Sequence, residues 1–186
     1  MQELTTALSE PPAALTEAER IARFHRVYDR YGDYVYANLG RLGVPVSSVP
    51  DAFQEVFIVV HRRLEDASDE RALRTWLFRV VLRVAADHRR AQRRRPSEEL
   101  PEALAAHGED PQRGAEQREA QAFVNAFLET LDESQRALFI LTELEQQSVP
   151  EAAETLGLNV NTAWSRLRVL RQAFERAVQR LHRRTP

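Results

Sequence analysis

The chain has 186 residues, enough for one domain or two small ones, and its formal net charge at pH 7 is -2. It contains no cysteine, which excludes disulfides, zinc ribbons and thiol nucleophiles. No apolar stretch approaches the ~20 residues of a membrane span, and the N-terminal sequence lacks the basic start and apolar core of a signal peptide, so we expect a cytoplasmic chain without membrane insertion.

The charges are distributed unevenly along the chain. Residues 71–95 contain nine arginines and one acidic residue, and residues 161–186 contain seven arginines and one acidic residue. Residues 97–119, between these two blocks, contain seven acidic residues and two arginines. Because the local field rather than the net charge attracts phosphates, the two basic blocks predict binding to a polyanion. The alternative is that both blocks are solvated helix faces.

The first part of the chain predicts a leader followed by helices. Residues 1–17 carry small residues and a Pro-Pro pair, and we expect a flexible leader there. Helical periodicity begins at Glu19, and Gly32 is expected to interrupt it before a second stretch that ends at Gly43. Ser48, followed two positions later by a proline, predicts the start of the next helix.

Residues 51–66, DAFQEVFIVVHRRLED, predict an amphipathic helix with two different faces. The apolar stripe consists of Phe53, Phe57, Val60 and Leu64, widened by Val56. The other side carries Asp51, Gln54, Glu55 and Ile58. An isoleucine on an otherwise acidic and amide-bearing face predicts a contact surface. The alternative is a helix packed between two neighbours.

The next helix, ERALRTWLFRVVLRVAADHRRAQRRR, places arginines and apolar residues on separate faces. The apolar face consists of Leu77, Val80, Val81 and Val84, and the basic face of Arg79, Arg83 and Arg90. Trp76 lies near the helix start. A tryptophan in a helix is more often part of the core, but beside so many arginines it also suits a wedge or stacking surface for unpaired bases.

Residues 96–117 predict a flexible acidic linker, because they contain three prolines, two glycines and the acidic surplus. No segment shows the alternation of a strand. The predicted fold is therefore all-α, with two small helical domains over residues 18–95 and 118–186 that are tethered loosely by the linker.

The second domain contains a helix-turn-helix pattern. After a helix around Phe127 and a cap at Asp132, a short helix over residues 150–156 is expected to end at Gly157, with Asn159 capping the following helix. In that last helix the buried stripe is Ala163, Leu167, Leu170 and Phe174. The outer face is Asn161, Trp164, Ser165 and Arg168. Helical hairpins with a glycine corner also occur in proteins that bind no DNA, but the adjoining arginines favour major-groove binding.

Both halves together resemble the extracytoplasmic-function sigma factors, the small two-domain branch of the sigma-70 family. DAFQEVF resembles that family's D-x-x-Q-E-x-F segment, and RTWLFRVVLRVAADHRR resembles the segment that follows it. LDESQRALFILTELEQQSVPEAAETLGLNVNTAWSRLRVLR resembles the family's C-terminal helix-turn-helix pattern. The resemblance spans residues 20–95 and 118–182, on either side of the acidic linker.

The resemblance implies an RNA polymerase sigma factor, which is no enzyme but directs promoter-specific transcription initiation. Its implied partners are the polymerase core (beta-prime clamp and beta flap), promoter DNA and an anti-sigma factor. The positions that match the core-binding helix are Asp51, Gln54, Glu55, Phe57 and Ile58. Those that match the minus-10 recognition and melting segment are Arg74, Thr75, Trp76, Arg79, Arg83, Asp87, Arg89 and Arg90. Those that match the minus-35 reader are Asn161, Thr162, Trp164, Ser165, Arg166, Arg168 and Arg171.

Several positions depart from the family pattern, so the resemblance does not predict the promoter sequence. They are His61, Leu73, Arg83, Trp164 and Val169. No cofactor or metal is expected, because the five histidines are scattered and the chain has no P-loop motif. The alternative function is a helix-turn-helix regulator that acts without being a polymerase subunit.

Overall fold

A computed structural model describes residues 16–64, 70–94 and 111–183. Nearly all of the predicted leader and most of the predicted linker lie outside these ranges. Within them, all the regular structure is helical, which confirms the all-α prediction.

The first domain is built from three long helices and one short one. They are α1 (Glu17–Arg41), a 3-10 turn (Val46–Ser48), α2 (Val49–Arg63) and α3 (Glu70–Arg94). Each of the three long helices packs against the other two. A capping box starts α1, in which the Thr16 hydroxyl accepts from the Glu19 amide and the Glu19 carboxylate accepts from the Thr16 amide.

Helix α1 is continuous, so the expected interruption at Gly32 was wrong. Val27, Tyr31, Val35 and Leu39 form an unbroken buried stripe through that position. A glycine in a helix interior costs about 1 kcal/mol relative to alanine, and burial of this stripe outweighs that cost. Ser48 does precede α2 as predicted, although its side chain makes no capping hydrogen bond.

The second domain contains α4 (Pro111–Glu129), α5 (Glu133–Phe139), α6 (Val149–Leu156) and α7 (Val160–His182). Helix α4 begins about two turns before Arg118, where the sequence predicts the domain to start. The end of the predicted linker is therefore helical. Phe127 and Leu128, near the end of α4, are buried among the other helices of this domain.

The turns of the second domain follow the sequence predictions. A capping box at Asp132 starts α5, with the Asp132 carboxylate accepting from the Gln135 amide at 2.8 Å. Gly157 ends α6 in the left-handed conformation at φ 63°, and the Asn159 side chain accepts from the Asn161 amide at 2.9 Å to cap α7. Together α6, this corner and α7 form the predicted helix-turn-helix.

The segment after α5 departs from a regular helix. Residues Ile140–Leu144 form a π turn, and the Glu145 amide donates to the Ile140 carbonyl at 2.9 Å. Gln146 follows at φ 55°, in the left-handed region that side-chain-bearing residues seldom adopt. This wide turn places the Glu145 side chain against the first domain.

The two domains pack against each other, a contact that the sequence does not predict. Helix α3 lies against α6, and the buried apolar side chains of both domains belong to one continuous cluster. Polar contacts join them as well. The Leu42 carbonyl, in the first domain, accepts from Arg136 Nη1 of the second at 3.1 Å. Burial lowers the pKa of this guanidinium, and the nearby charge of Arg89 lowers it further.

Candidate nucleic-acid interface

The N-terminal half of α7 presents a polar and aromatic face to solvent. Ala163, Leu167 and Leu170 are buried against the domain and set the orientation of the helix. The predicted minus-35 residues all lie on the exposed side: Asn161, Thr162, Trp164, Ser165, Arg166, Arg168 and Arg171. Trp164 is 50% exposed, which is high for so large an apolar side chain. The structure thus leaves every member of this predicted set exposed.

The arginines of this face differ in their surroundings. Arg171 Nη2 pairs with Glu143 at 2.8 Å, and Arg166 Nη1 donates to the Ser134 hydroxyl at 2.9 Å. Arg168 makes no such contact with any described residue. A guanidinium without an intramolecular partner is the most available of the three for a base edge or a phosphate.

The predicted minus-10 residues divide into an exposed group and a half-buried group along α3. The exposed group is Arg79, Arg83, Asp87 and Arg90, and the half-buried group is Arg74, Thr75, Trp76 and Arg89. Arg90 donates to the Asp87 carboxylate one turn away, and this hydrogen bond holds the pKa of Asp87 below its usual value. Trp76 packs against the apolar core, so in this structure it is a core residue rather than an exposed stacking surface for bases.

Three arginines of α3 are engaged by the second domain. Arg79 donates to the carbonyls of Thr155 at 2.9 Å and Glu154 at 2.8 Å, at the end of α6. Arg74 Nη2 pairs with Glu145 at 2.9 Å. Arg89 Nη2 pairs with Glu133 at 2.8 Å. In this arrangement the three guanidinium groups bond to protein oxygens, although Arg79 and Arg74 also remain in contact with solvent.

The α2 residues that match the core-binding segment are exposed, with one exception. Asp51, Gln54, Glu55 and Ile58 lie on the surface, and Ile58 is 48% exposed. Phe57 is only 5% exposed and packs against the rings of Phe24, Tyr28 and Phe53. It therefore supports this face from within the core and does not form part of the surface.

Sequence reasoning missed the residues that join the domains. Glu145 bonds to three side chains of the first domain, and the buried Arg136 bonds to the Leu42 carbonyl. Glu145 comes directly after the apolar residues of the predicted helix. Nothing in its neighbours indicates a partner more than 100 positions away in the sequence. The π turn that orients it has no sequence signature that we used.

Two family models match the chain, one in each domain. The model for sigma-70 region 2 covers residues 27–95, and the model for sigma-70 region 4 covers residues 124–174. The ECF RNA polymerase sigma-E factor of Escherichia coli K12 is 31% identical over 171 residues, spanning 87% of this chain and 89% of that protein. The chain belongs to the ECF sigma factors of the sigma-70 family.

Other ECF sigma factors and sigma-factor structures are similar over most of their length. The sigma-E factor of Haemophilus influenzae is 31% identical over 170 residues, spanning 85% of this chain and 88% of that protein. CnrH, solved in complex with the cytosolic domain of CnrY, has a TM-score of 0.63 at 25% identity and covers 88% of this chain and 98% of its own. The sigma factor RpoE of Bartonella quintana, solved with the anti-sigma factor NepR, has a TM-score of 0.64 at 18% identity, covers 84% of this chain and 96% of its own, and shows the shared fold.

This ECF sigma factor is a transcription initiation factor of RNA polymerase, and sigma factors act as regulators of transcription. The alternative of a regulator independent of polymerase is not favoured, because both sigma regions are present in the expected order. Among the described helices, none combines the length and the apolar character needed to cross a membrane. The described residues also form no cluster of three or more metal-ligating side chains.

Proposed function

We propose that three surfaces of the chain divide the work of promoter-specific initiation. The α2 face of Asp51, Gln54, Glu55 and Ile58 binds the polymerase core, α3 binds the minus-10 element, and the outer face of α7 reads the minus-35 element. The observation that carries this division is the exposure of Ile58 within the acidic face of α2. The arginines proposed to bind DNA lie on two other helices, α3 and α7. A face that repels DNA while exposing an apolar side chain suits a protein partner.

Base reading at the minus-35 element is assigned to the N-terminal half of α7. Asn161, Ser165 and Arg168 are exposed on the side opposite the buried stripe, as in a recognition helix that enters the major groove. A good bidentate contact from such a side chain contributes roughly 1–3 kcal/mol of discrimination. Trp164, beside them, suits apolar contact with a thymine methyl group or a sugar.

Promoter melting at the minus-10 element is assigned to the capture of unpaired bases by α3. Arg83 and Arg90 are exposed and suit phosphate contacts. Binding energy then offsets the unstacking of bases, as in other proteins that hold single strands. No nucleotide hydrolysis is required in this scheme, and we assign no enzymatic activity to the chain.

The cellular setting follows from the partners. Because polymerase and chromosomal DNA are cytoplasmic in bacteria, we place the chain in the cytoplasm. An anti-sigma factor is proposed as a further partner, because the similar RpoE structure was solved with one.

In vitro transcription with purified core polymerase tests this proposal. The wild-type chain is expected to confer initiation at a promoter that core alone does not use. The double substitution Asp51→Arg/Glu55→Arg should lower core affinity about tenfold or more, because it reverses two charges that face the partner. Glu119→Arg/Glu175→Arg is the control, since it makes the same change in net charge at exposed positions of the second domain.

If the α2 variant binds the polymerase core as tightly as the wild-type chain, the assignment of core binding to the α2 face is wrong. Sequence-specific DNA binding by the wild-type chain, with no binding to core, would instead support the independent regulator. Equal holoenzyme affinity for duplex and pre-melted promoter would count against base capture by α3.

A further inference from the structure

The carboxylate of Glu145 lies where the two domains meet and is held by three side chains of the first domain. Oε1 accepts from Arg41 Nη1 at 2.8 Å and from Asn38 Nδ2 at 3.1 Å, and Oε2 accepts from Arg74 Nη2 at 2.9 Å. The Glu145 side chain is 9% exposed. This nearly buried carboxylate therefore makes charge-assisted hydrogen bonds to two arginines of the first domain.

The surroundings of Glu145 are only partly satisfied. Four buried polar atoms there have no hydrogen-bond partner among the described residues: Tyr34 Oη, Asn38 Oδ1, Arg74 Nε and Gln147 Oε1. Burial raises the pKa of the Tyr34 hydroxyl, and the charge of Glu145 raises it further, so this group stays protonated. Because water would satisfy these atoms on separation of the domains, the contact suits reversible docking rather than a permanent core.

The pKa of Arg74 reports two opposing influences at this contact. Burial acts to lower it, but the hydrogen bond and charge of Glu145, together with Tyr34, raise it above its usual value. The partner across the interface therefore stabilises the charge that Arg74 already carries. Loss of Glu145 would leave this charge half-buried without a counterion.

The backbone that presents Glu145 is also unusual. It follows the π turn Ile140–Leu144 and precedes Gln146, which has a positive φ. Such departures persist where the surrounding structure holds them in place, and they accompany functional positions. Here their effect is to direct one carboxylate out of the second domain and into the first.

Docking of the domains occupies part of the predicted minus-10 surface. Arg79 is bonded to the α6 carbonyls, Arg74 to Glu145 and Arg89 to Glu133. A guanidinium that is bonded to protein oxygens has fewer free donors for phosphates or bases and must give up those bonds to use all of its donors. The docked state therefore competes with DNA for the same donors.

The docked state is also too short to reach both promoter elements. The minus-10 and minus-35 elements are named for positions about 25 base pairs apart, which at ~3.4 Å per base pair is on the order of 80 Å along the DNA. A compact chain of 186 residues has a radius of gyration of about 16 Å and hence a diameter of about 40 Å. Simultaneous contact with both elements requires the domains to separate.

We propose that Glu145 is an interdomain latch that keeps the free chain closed and inhibited, and that the latch opens when the polymerase core binds. Closure itself rests on the contacts of Glu145 with Asn38, Arg41 and Arg74. Its inhibitory effect rests additionally on the function proposed above for α3. Distance measurements on the free chain and binding measurements with polymerase therefore test the two parts separately.

The test compares Glu145→Ala with the matched control Glu143→Ala. Glu143 is two residues away and pairs with Arg171 within the second domain, so its loss removes a similar ion pair without touching the interface. The chain has no cysteine, so Arg62→Cys in α2 and Gln179→Cys in α7 provide the only attachment points for a pair of distance probes. Distances are measured in the free chain, and core affinity is measured on the unlabelled variants.

Glu145→Ala is expected to raise the open-to-closed ratio roughly tenfold or more, because it removes charge-assisted hydrogen bonds to a part-buried site. Apparent core affinity should rise by a similar factor, since only the open fraction binds. Arg41→Ala should also raise the open-to-closed ratio and the apparent core affinity, but by a smaller factor. This second variant tests the latch even if Glu145→Ala impairs folding. Glu143→Ala should change neither quantity.

The proposal is overturned if Glu145→Ala and Arg41→Ala leave both the distances and the core affinity at wild-type values. Longer distances without tighter core binding would overturn the inhibitory role. Tighter core binding with unchanged distances supports the latch, because the open fraction then lies below detection. A wild-type chain that fails to bind core would contradict the proposed function, while the distance measurements would still decide closure.

Discussion

Three arginines in the N-terminal half of α7 are exposed, yet their side chains are not equivalent. Arg166 and Arg171 are held by Ser134 and Glu143, whereas Arg168 has no partner among the described residues. A held guanidinium has already lost side-chain entropy and points in a fixed direction. A free one retains the reach to form a bidentate contact with guanine. Arg168 therefore suits base reading, whereas Arg166 and Arg171 must exchange a protein partner for a contact with DNA.

Arg168→Ala should weaken binding of the holoenzyme to its preferred promoter by roughly 1–3 kcal/mol and relax selectivity at one base pair. Arg180→Ala is the matched control, because it removes the same charge from an exposed position in the last turn of the same helix. Its effect should be smaller and uniform across sequences. The measurement is competition binding against a panel of single-base promoter variants. Equal and sequence-independent losses from both variants would reject base reading by Arg168.

At the scale of elements, two glycines with positive φ make turns with different consequences. Gly157, at φ 63°, has no atom within 4 Å of where a Cβ would lie. Gly43, at φ 83°, has Arg136 Nη1 2.3 Å from that position. The first glycine therefore serves backbone conformation alone. The second also makes room for the guanidinium that joins the domains.

Gly157→Ala should destabilise the chain by about 1–2 kcal/mol, the cost of a left-handed conformation. Gly43→Ala should cost roughly a further 1–3 kcal/mol, because Arg136 must withdraw from the buried Leu42 carbonyl. Gly32→Ala is the opposite control. It lies inside α1, where a Cβ would stand 3.9 Å from Phe53, and it should stabilise by about 1 kcal/mol. Urea denaturation measures all three, and equal losses at Gly43 and Gly157 would contradict the role of Arg136.

Local signals in the sequence were sufficient for most elements. The caps at Asp132 and Asn159 and the corner at Gly157 are where the sequence predicts them, because each depends on residues within one turn. Where the prediction failed, the deciding interaction involved residues far away in the sequence, or the backbone feature had no sequence signature. Packing along α1 overrode the helix-breaking tendency of Gly32, and nothing local marked the π turn at Ile140–Leu144.

The candidate surfaces were predicted better than their relation to each other. Periodicity places the α7 face and the α2 face on the outside, because an apolar stripe determines the opposite side of a helix. It gives no information on contacts between separate units. The pairing of Glu145 with Arg41 and Arg74, and of Arg89 with Glu133, joins residues that lie far apart in sequence. Phe57 is buried, as its place on the predicted apolar stripe indicates, although the family resemblance also includes it in the core-binding segment.

At the scale of the whole molecule, the net charge of -2 conceals a competition between acidic and basic groups. Carboxylates and carbonyls of the second domain occupy arginines of the first, so the closed chain presents fewer cations than its sequence contains. Opening would restore them to the surface. The affinity of the free chain for DNA should therefore depend on the state of the interface as well as on its arginine content.

This competition is measurable as a salt dependence. Each phosphate neutralised on duplex DNA contributes about 0.9 to the slope of log affinity against log salt concentration. If Glu145→Ala releases Arg74, Arg79 and Arg89 in the free chain, the slope should steepen by up to about 2.7 relative to wild type, three contacts of about 0.9 each. Glu143→Ala removes the same negative charge but frees only Arg171, so its slope should steepen by about 0.9 at most. Parallel lines for the two variants in a salt titration would mean that the α3 arginines are not released by opening, and that loss of one carboxylate explains any gain in affinity.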